Sequence, residues 1–109
     1  MKTQLRPPYS VFFGTLANQN RIDIASLLLM GPMNATQICK KLGFNQPTVS
    51  KNLARLERCG FVFVRRRGKE RIYTLNSGTI KPIIKLMNSH TKNYCSKLPE
   101  CRHLITKSE

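Results

Sequence analysis

A mainly α-helical fold with one small β-hairpin, in the order α-α-α-α-β-β-α, is what this sequence predicts, on three observations. Apolar residues recur at helical spacing from Val11 to Leu56. From Phe61 the pattern changes to β-rich runs, Phe61 to Val64 and Ile72 to Leu75, on either side of a cluster of cations. Helical spacing returns at Ile80. With 109 residues the chain has enough material for one core and not for two. Residues 1–104 are expected to form that single domain, with 105–109 as a frayed tail.

Each element follows from local chemistry. Pro7 and Pro8 open a short first helix, Tyr9 to Leu16, whose apolar face is Val11, Phe12, Phe13 and Leu16. After the polar break Asn18-Gln19-Asn20, Arg21 to Met30 places Ile22, Ala25, Leu28 and Leu29 on one face, and Gly31-Pro32 stops it. Asn34 is a good N-cap for a third helix carrying Ala35, Ile38, Cys39 and Leu42, ended by Gly43. Asn45 caps a fourth, with Pro47 in its first turn and Val49, Leu53 and Leu56 as its buried stripe up to Gly60. A hairpin with the tip Arg66-Arg67-Gly68-Lys69 comes next, then a last helix bearing Ile80, Ile83, Ile84, Met87, Tyr94 and Leu98.

Nineteen Lys and Arg against five Asp and Glu give a formal charge of +14. Such a density calls for a polyanionic partner, nucleic acid first and an anionic membrane surface second. The longest apolar stretches, Val11–Phe13 and Ala25–Met30, fall far short of the roughly 20 residues of a membrane helix. The start MKTQLRPPYS runs into prolines rather than an apolar signal core, so a cytoplasmic protein without membrane association is expected. The four cysteines are spread through helical patterning, and folding needs no disulfide framework.

A short helix, a Gly turn and a second helix opening on small polar residues is the arrangement of helix-turn-helix DNA readers. The second helix offers Gln46, Thr48, Ser50, Lys51, Asn52 and Arg55 outward, while Val49, Leu53 and Leu56 turn to the core. Gln and Asn suit adenine, Lys and Arg suit guanine or phosphate, and Ser and Thr suit either. At the hairpin, Arg65, Arg66, Arg67, Lys69 and Arg71 crowd around Gly68, a wing suited to the minor groove or to phosphate. From Lys51 to Arg71 eight basic residues stand against two acidic ones, a surplus of six. Lys40 and Lys41 add phosphate contacts from the preceding helix. The expected partner is double-stranded DNA, read in sequence. A coating protein indifferent to sequence and a winged helix that meets an acidic protein are the alternatives. An enzyme is not expected, since five carboxylates and two late histidines form no nucleophile–base or phosphate-loop pattern.

LANQNRIDI, with Leu16, Arg21 and Ile24, LGFNQPTVSKNLARLERCGFV and RRRGKERIYTL together resemble the ArsR/SmtB family of winged-helix regulators, over about Leu16 to Asn76. The resemblance implies a homodimer joined by its first and last helices, with Val11, Phe12, Leu16, Ile83, Met87 and Tyr94 fitting that interface; core packing explains each equally well. It also implies repression of nearby genes. Many such proteins sense metal through paired thiolates on the helix before the reader. Here that helix has Cys39 alone, spaced as a buried core thiol, and Cys59 reads as a packing residue. His90, Cys95, Cys101 and His103 put four possible ligands for zinc or another thiophilic metal within fourteen residues. Their spacing matches no compact finger, and Pro99 separates the cysteines; a Cys95–Cys101 oxidation switch and plain surface residues are the other readings. No cofactor is expected.

Overall fold

The computed structural model describes residues 7–95 and has the expected order of elements: α1 (Pro7–Leu16), α2 (Gln19–Leu27), α3 (Ala35–Leu42), α4 (Gln46–Arg58), β1 (Val62–Arg67), β2 (Glu70–Leu75) and α5 (Ile80–Asn93). Helix α2 starts two residues before its expected first residue, Arg21. Asn18 caps it by accepting the Arg21 amide at 3.0 Å, so Gln19 and Asn20 form its first turn rather than a break. Its far end tightens into a 3-10 turn, Leu28–Met30, before Gly31 and Pro32. A capping box between Asn34 and Gln37 starts α3, and Gly43 ends it in the left-handed region at φ +71°. Asn45 accepts the Thr48 amide at 2.9 Å to start α4. Leu98, expected on the last helix, lies outside the described residues, and α5 ends at Asn93.

Ile24, Ile38, Val49, Leu53, Leu56, Phe61 and Ile84 are fully buried and join all the helices except α1 to the root of the hairpin. Each such side chain contributes about 1.5–3 kcal/mol on leaving water. Helix α1 reaches the core through Leu16 and through Phe12, whose ring lies 5.4 Å from that of Phe61. Among the described residues, no helix is long and apolar enough to cross a membrane.

The hairpin is tighter than the sequence suggests. Arg65, Arg66 and Arg67 belong to the strand, and only Gly68 and Lys69 form the loop, with Arg67 paired to Glu70. Gly68 sits at φ +67°, the conformation that lets a two-residue loop follow the strand twist. Met33 exchanges both backbone hydrogen bonds with Tyr73, at 3.1 and 2.8 Å. This short bridge fixes the hairpin against the start of α3.

Candidate nucleic-acid interface

Helix α4 has two unlike halves. At its start Gln46 and Ser50 are exposed and Thr48 is half-buried. Gln46 and Ser50 border a groove of about 350 Å³ with Asn34, Thr36, Lys69 and Tyr73. The half-buried Cys39 packs against the core and donates its thiol hydrogen to Gln46 Oε1 at 3.1 Å, which leaves the Gln46 amide nitrogen free to donate. Lys40, Lys41 and Lys51 are exposed around this end. The two α3 lysines also complement the negative end of their helix.

The wing forms the other wall of the groove. Arg65, Arg66, Arg67, Lys69 and Arg71 are all exposed. Arg66 pairs directly with Arg71 across the strands, a like-charge juxtaposition that a polyanion would relieve. Arg71 is the most tethered of the five. Its Nε donates to the Tyr73 hydroxyl at 3.3 Å, and its Nη2 lies 3.7 Å from Glu57. The hydrogen bond to Tyr73, with the charges of Tyr73 and Glu57, raises its pKa above the ordinary value. Glu70 points back to α3, accepting from Asn34 Nδ2 at 2.8 Å, and so braces the wing. Sequence reasoning missed Asn34, Thr36 and Tyr73 as groove residues, because the long-range Met33–Tyr73 bridge and the Asn34–Glu70 hydrogen bond bring the wing and the start of α3 together.

The second half of α4 corrects two expectations. Asn52 does not face outward: it is 3% exposed, donates to the Thr48 carbonyl at 2.8 Å and accepts from Arg21 Nη1 at 3.3 Å. Arg55 is half-buried and turned toward α1, where its Nε donates to Thr15 Oγ1 at 3.2 Å. Both lie on the side of α4 that α1 and α2 cover. Cys59 is more than a packing residue, since its Sγ is 3.3 Å from the same hydroxyl. Burial alone would raise the Cys59 pKa, but hydrogen bonding to Thr15 and Arg55 and the charges of Arg55 and Arg58 lower it overall.

Of the six residues expected at a subunit interface, Val11 and Tyr94 are exposed, and Phe12, Ile83 and Met87 are partly buried against the core. Leu16 is a core residue of its own protomer, 9% exposed, because the chain turns inward there to begin α2. Phe13, expected on the apolar face of the first helix, is exposed, and Tyr9 on α1 and Leu86 on α5 are further large exposed apolar residues that the spacing did not single out. His90 is exposed and its ring lies 5.0 Å from that of Tyr94, while Cys95 is half-buried. Cys101 and His103 lie outside the described residues. Among the described residues, no three His, Cys, Asp or Glu side chains are placed to hold a metal ion.

A helical core with an exposed polar helix start beside a cationic hairpin defines a winged helix-turn-helix protein of the regulator class. The sequence profile of the bacterial regulatory proteins of the arsR family matches residues 18–63. The transcriptional activator HlyU of Vibrio cholerae is 31% identical over 85 residues, 78% of this chain and 76% of that protein. The solved structure of HlyU from Vibrio cholerae superposes with a TM-score of 0.69 at 30% identity, covering 81% of this chain and 92% of that one. A probable mercury resistance operon repressor of Streptomyces lividans is 28% identical over 94 residues, 81% of this chain and 75% of that protein. The chain belongs to the arsR family, and it is a winged helix-turn-helix transcriptional regulator.

Proposed function

We propose that this chain, residues 1–104 acting as one unit, is a cytoplasmic homodimer that binds double-stranded DNA in a sequence-dependent way and represses transcription by occupying its site. One observation carries the reading: the first half of α4 and the wing put exposed Gln46, Ser50, Lys69 and Arg71 around one groove, with Lys51, Arg65, Arg66 and Arg67 exposed on the same two elements. In this reading the start of α4 enters the major groove, where Gln46, Thr48 and Ser50 meet base edges. Arg65, Arg66, Arg67 and Lys69 follow the neighbouring phosphates or minor groove, with Lys40, Lys41 and Lys51 on the flanks. Arg71 contributes charge from its tethered position. Asn52 and Arg55 act by holding α4 rather than by touching DNA.

The exposed Tyr9, Val11 and Phe13 on α1, Leu86 on α5 and Tyr94 just past its end support the dimer, being too many large apolar side chains to leave in water. Two protomers then present two α4 helices to successive major grooves, about 34–36 Å apart. The chemistry is recognition alone, and no side chain is assigned a catalytic role. Fluorescence anisotropy at about 150 mM salt, where screening suppresses unspecific binding, tests the reading. A duplex from upstream of its own gene is expected to bind about a thousandfold more tightly than a scrambled one. Equal binding there and to the duplexes recovered from a random pool would favour a coating protein.

A further inference from the structure

The side of α4 turned away from the groove is tied to α1 by a polar network that stability alone does not call for. The Thr15 side chain is fully buried. Its hydroxyl donates to the Val11 carbonyl at 2.7 Å and accepts from Arg55 Nε at 3.2 Å. Arg21 of α2 forks across the same junction. It donates to the Thr15 carbonyl at 2.8 Å and the Gly14 carbonyl at 3.1 Å, which closes the last turn of α1, and also to Asn52 Oδ1 at 3.3 Å. Burial and the neighbouring Arg55 charge lower the Arg21 pKa, so the two guanidinium groups meet at a cost. No side-chain polar atom buried among the described residues lacks a partner, so the cost buys a fully connected arrangement.

Apolar contact through Phe12 and Leu16 holds α1 on the body without fixing its rotation, since such contact is not directional. Hydrogen bonds with defined donors and acceptors do fix it. The exposed side chains of α1 are Tyr9 and Phe13, one turn apart on one face, and Val11, which stands one turn before Thr15. The network therefore joins the face that would meet a second subunit to the helix that would read DNA.

We infer that Thr15, Arg21, Asn52 and Arg55 are positioning residues that set the angle between the α1 subunit face and α4, and thereby the separation of DNA half-sites the dimer accepts. The inference rests on the dimeric DNA-reading proposed above. Each α4 lies about 17 Å from the dimer axis, half the separation of successive major grooves. A rotation of about 10° at α1 moves it by about 3 Å, close to the 3.4 Å rise of one base pair. Losing the directional bonds thus costs spacing discrimination before it costs the fold.

The test uses the full chain and palindromic duplexes. Half-sites recovered by the unmodified protein from a random duplex pool are rebuilt at the recovered spacing, at one base pair less and at one more. The unmodified protein is expected to prefer one spacing by about tenfold or more, in line with the cost of a mismatched contact. Thr15→Val, which keeps the volume and removes the hydroxyl, is expected to cut that preference below about threefold. Its affinity for a single half-site duplex and its sedimentation as a dimer stay within twofold of the unmodified values. Thr15→Ser, which restores the hydroxyl, is expected to restore the preference. If circular dichroism shows Thr15→Val unfolded, Arg55→Met makes the same cut at the half-exposed end. A folded Thr15→Val or Arg55→Met dimer with undiminished spacing preference overturns the inference. An unmodified protein that is monomeric, or that recovers no half-sites, overturns the underlying reading instead, and the two failures are told apart.

Discussion

The two ends of helix α4 are held in different ways. Apart from the buried Val49, the first half is held by one side-chain hydrogen bond to another element, Cys39 to Gln46, and its Gln46 and Ser50 face solvent beside a groove. The second half is bound by Asn52, Arg55 and Cys59 into contacts with α1 and α2. A reading surface must exchange its water for a partner, so its side chains gain from being uncommitted. A helix that must arrive at DNA in one orientation gains from being fixed at its other end. The comparison teaches that polarity on α4 serves two purposes, and that burial separates them where residue type does not.

The largest expected effect comes from removing what both halves lean on. Phe61 is 1% exposed and meets Phe12 of α1 at the root of the hairpin. Phe61→Ala is expected to cost about 3–5 kcal/mol, a large part of the stability of a domain this size. Urea denaturation followed by circular dichroism measures it. A loss below about 1 kcal/mol would mean that α1 and the hairpin do not share this core, because truncated aromatics in closed cores cost several times more.

Next in size is a pair of substitutions that sets one end of α4 against the other. Thr15→Val removes a hydroxyl from a fully buried position and leaves the half-buried Arg55 Nε–H without its acceptor, and about 1–3 kcal/mol of stability is expected to go. Ser50→Ala, at the exposed end, is expected to stay within about 0.5 kcal/mol. Matching losses in the two melts would erase the distinction between a fixed and an open end.

Binding sharpens the comparison further. Arg67→Ala is expected to weaken every duplex alike and to reduce the slope of log affinity against log salt by about 0.9, the value for one phosphate contact. Gln46→Ala is expected to leave that slope alone and to narrow the gap between the best and a mismatched sequence by about 1–3 kcal/mol. A salt slope unaltered in Arg67→Ala would remove the wing from the interface.

Much of this was legible in the sequence, and the parts that were not share a cause. Caps at Asn34 and Asn45, the stop at Gly43 and the stripe Val49, Leu53 and Leu56 are local rules, and they placed α3 and α4 to within a residue or two. The cations of the wing could be read because they adjoin one another in the chain. Asn52 was misjudged because, on a helix, polar residues default to the solvent side. Its burial depends on Arg21, thirty-one positions earlier, reaching across from α2. Arg55 was misjudged for the same reason, its partner being Thr15 at the end of a different helix; Cys59 packs against the core as expected, and only its contact with the same hydroxyl went unread. The groove went unread because the Met33–Tyr73 bridge joins two segments that show no pairing signal of their own.

Cys59 gives the smallest effect and the most specific test of the fixed end. Burial opposes its ionisation, yet the hydrogen bonding to Thr15 and Arg55 and the charges of Arg55 and Arg58 prevail, so the folded thiol ionises at lower pH than the unfolded one. A folded pKa that is depressed favours the native state most at pH above the unfolded thiol value, about 8.5. That contribution declines as pH falls through the folded value, and none of it remains below. Solvent reaches the half-buried Cys59, so screening keeps the contribution to stability small, and reactivity is the better readout. With Cys39, Cys95 and Cys101 replaced by serine, the pH at half-maximal alkylation rate by iodoacetamide is expected to be lower for the native chain than in urea. Adding Thr15→Val should move the native midpoint back toward the urea value, because on ionisation the hydroxyl can turn its proton from the Val11 carbonyl to the sulfur and so help hold the thiolate. Coincident native and unfolded midpoints in the parent would show that the Arg55 end of α4 does not surround the sulfur as described.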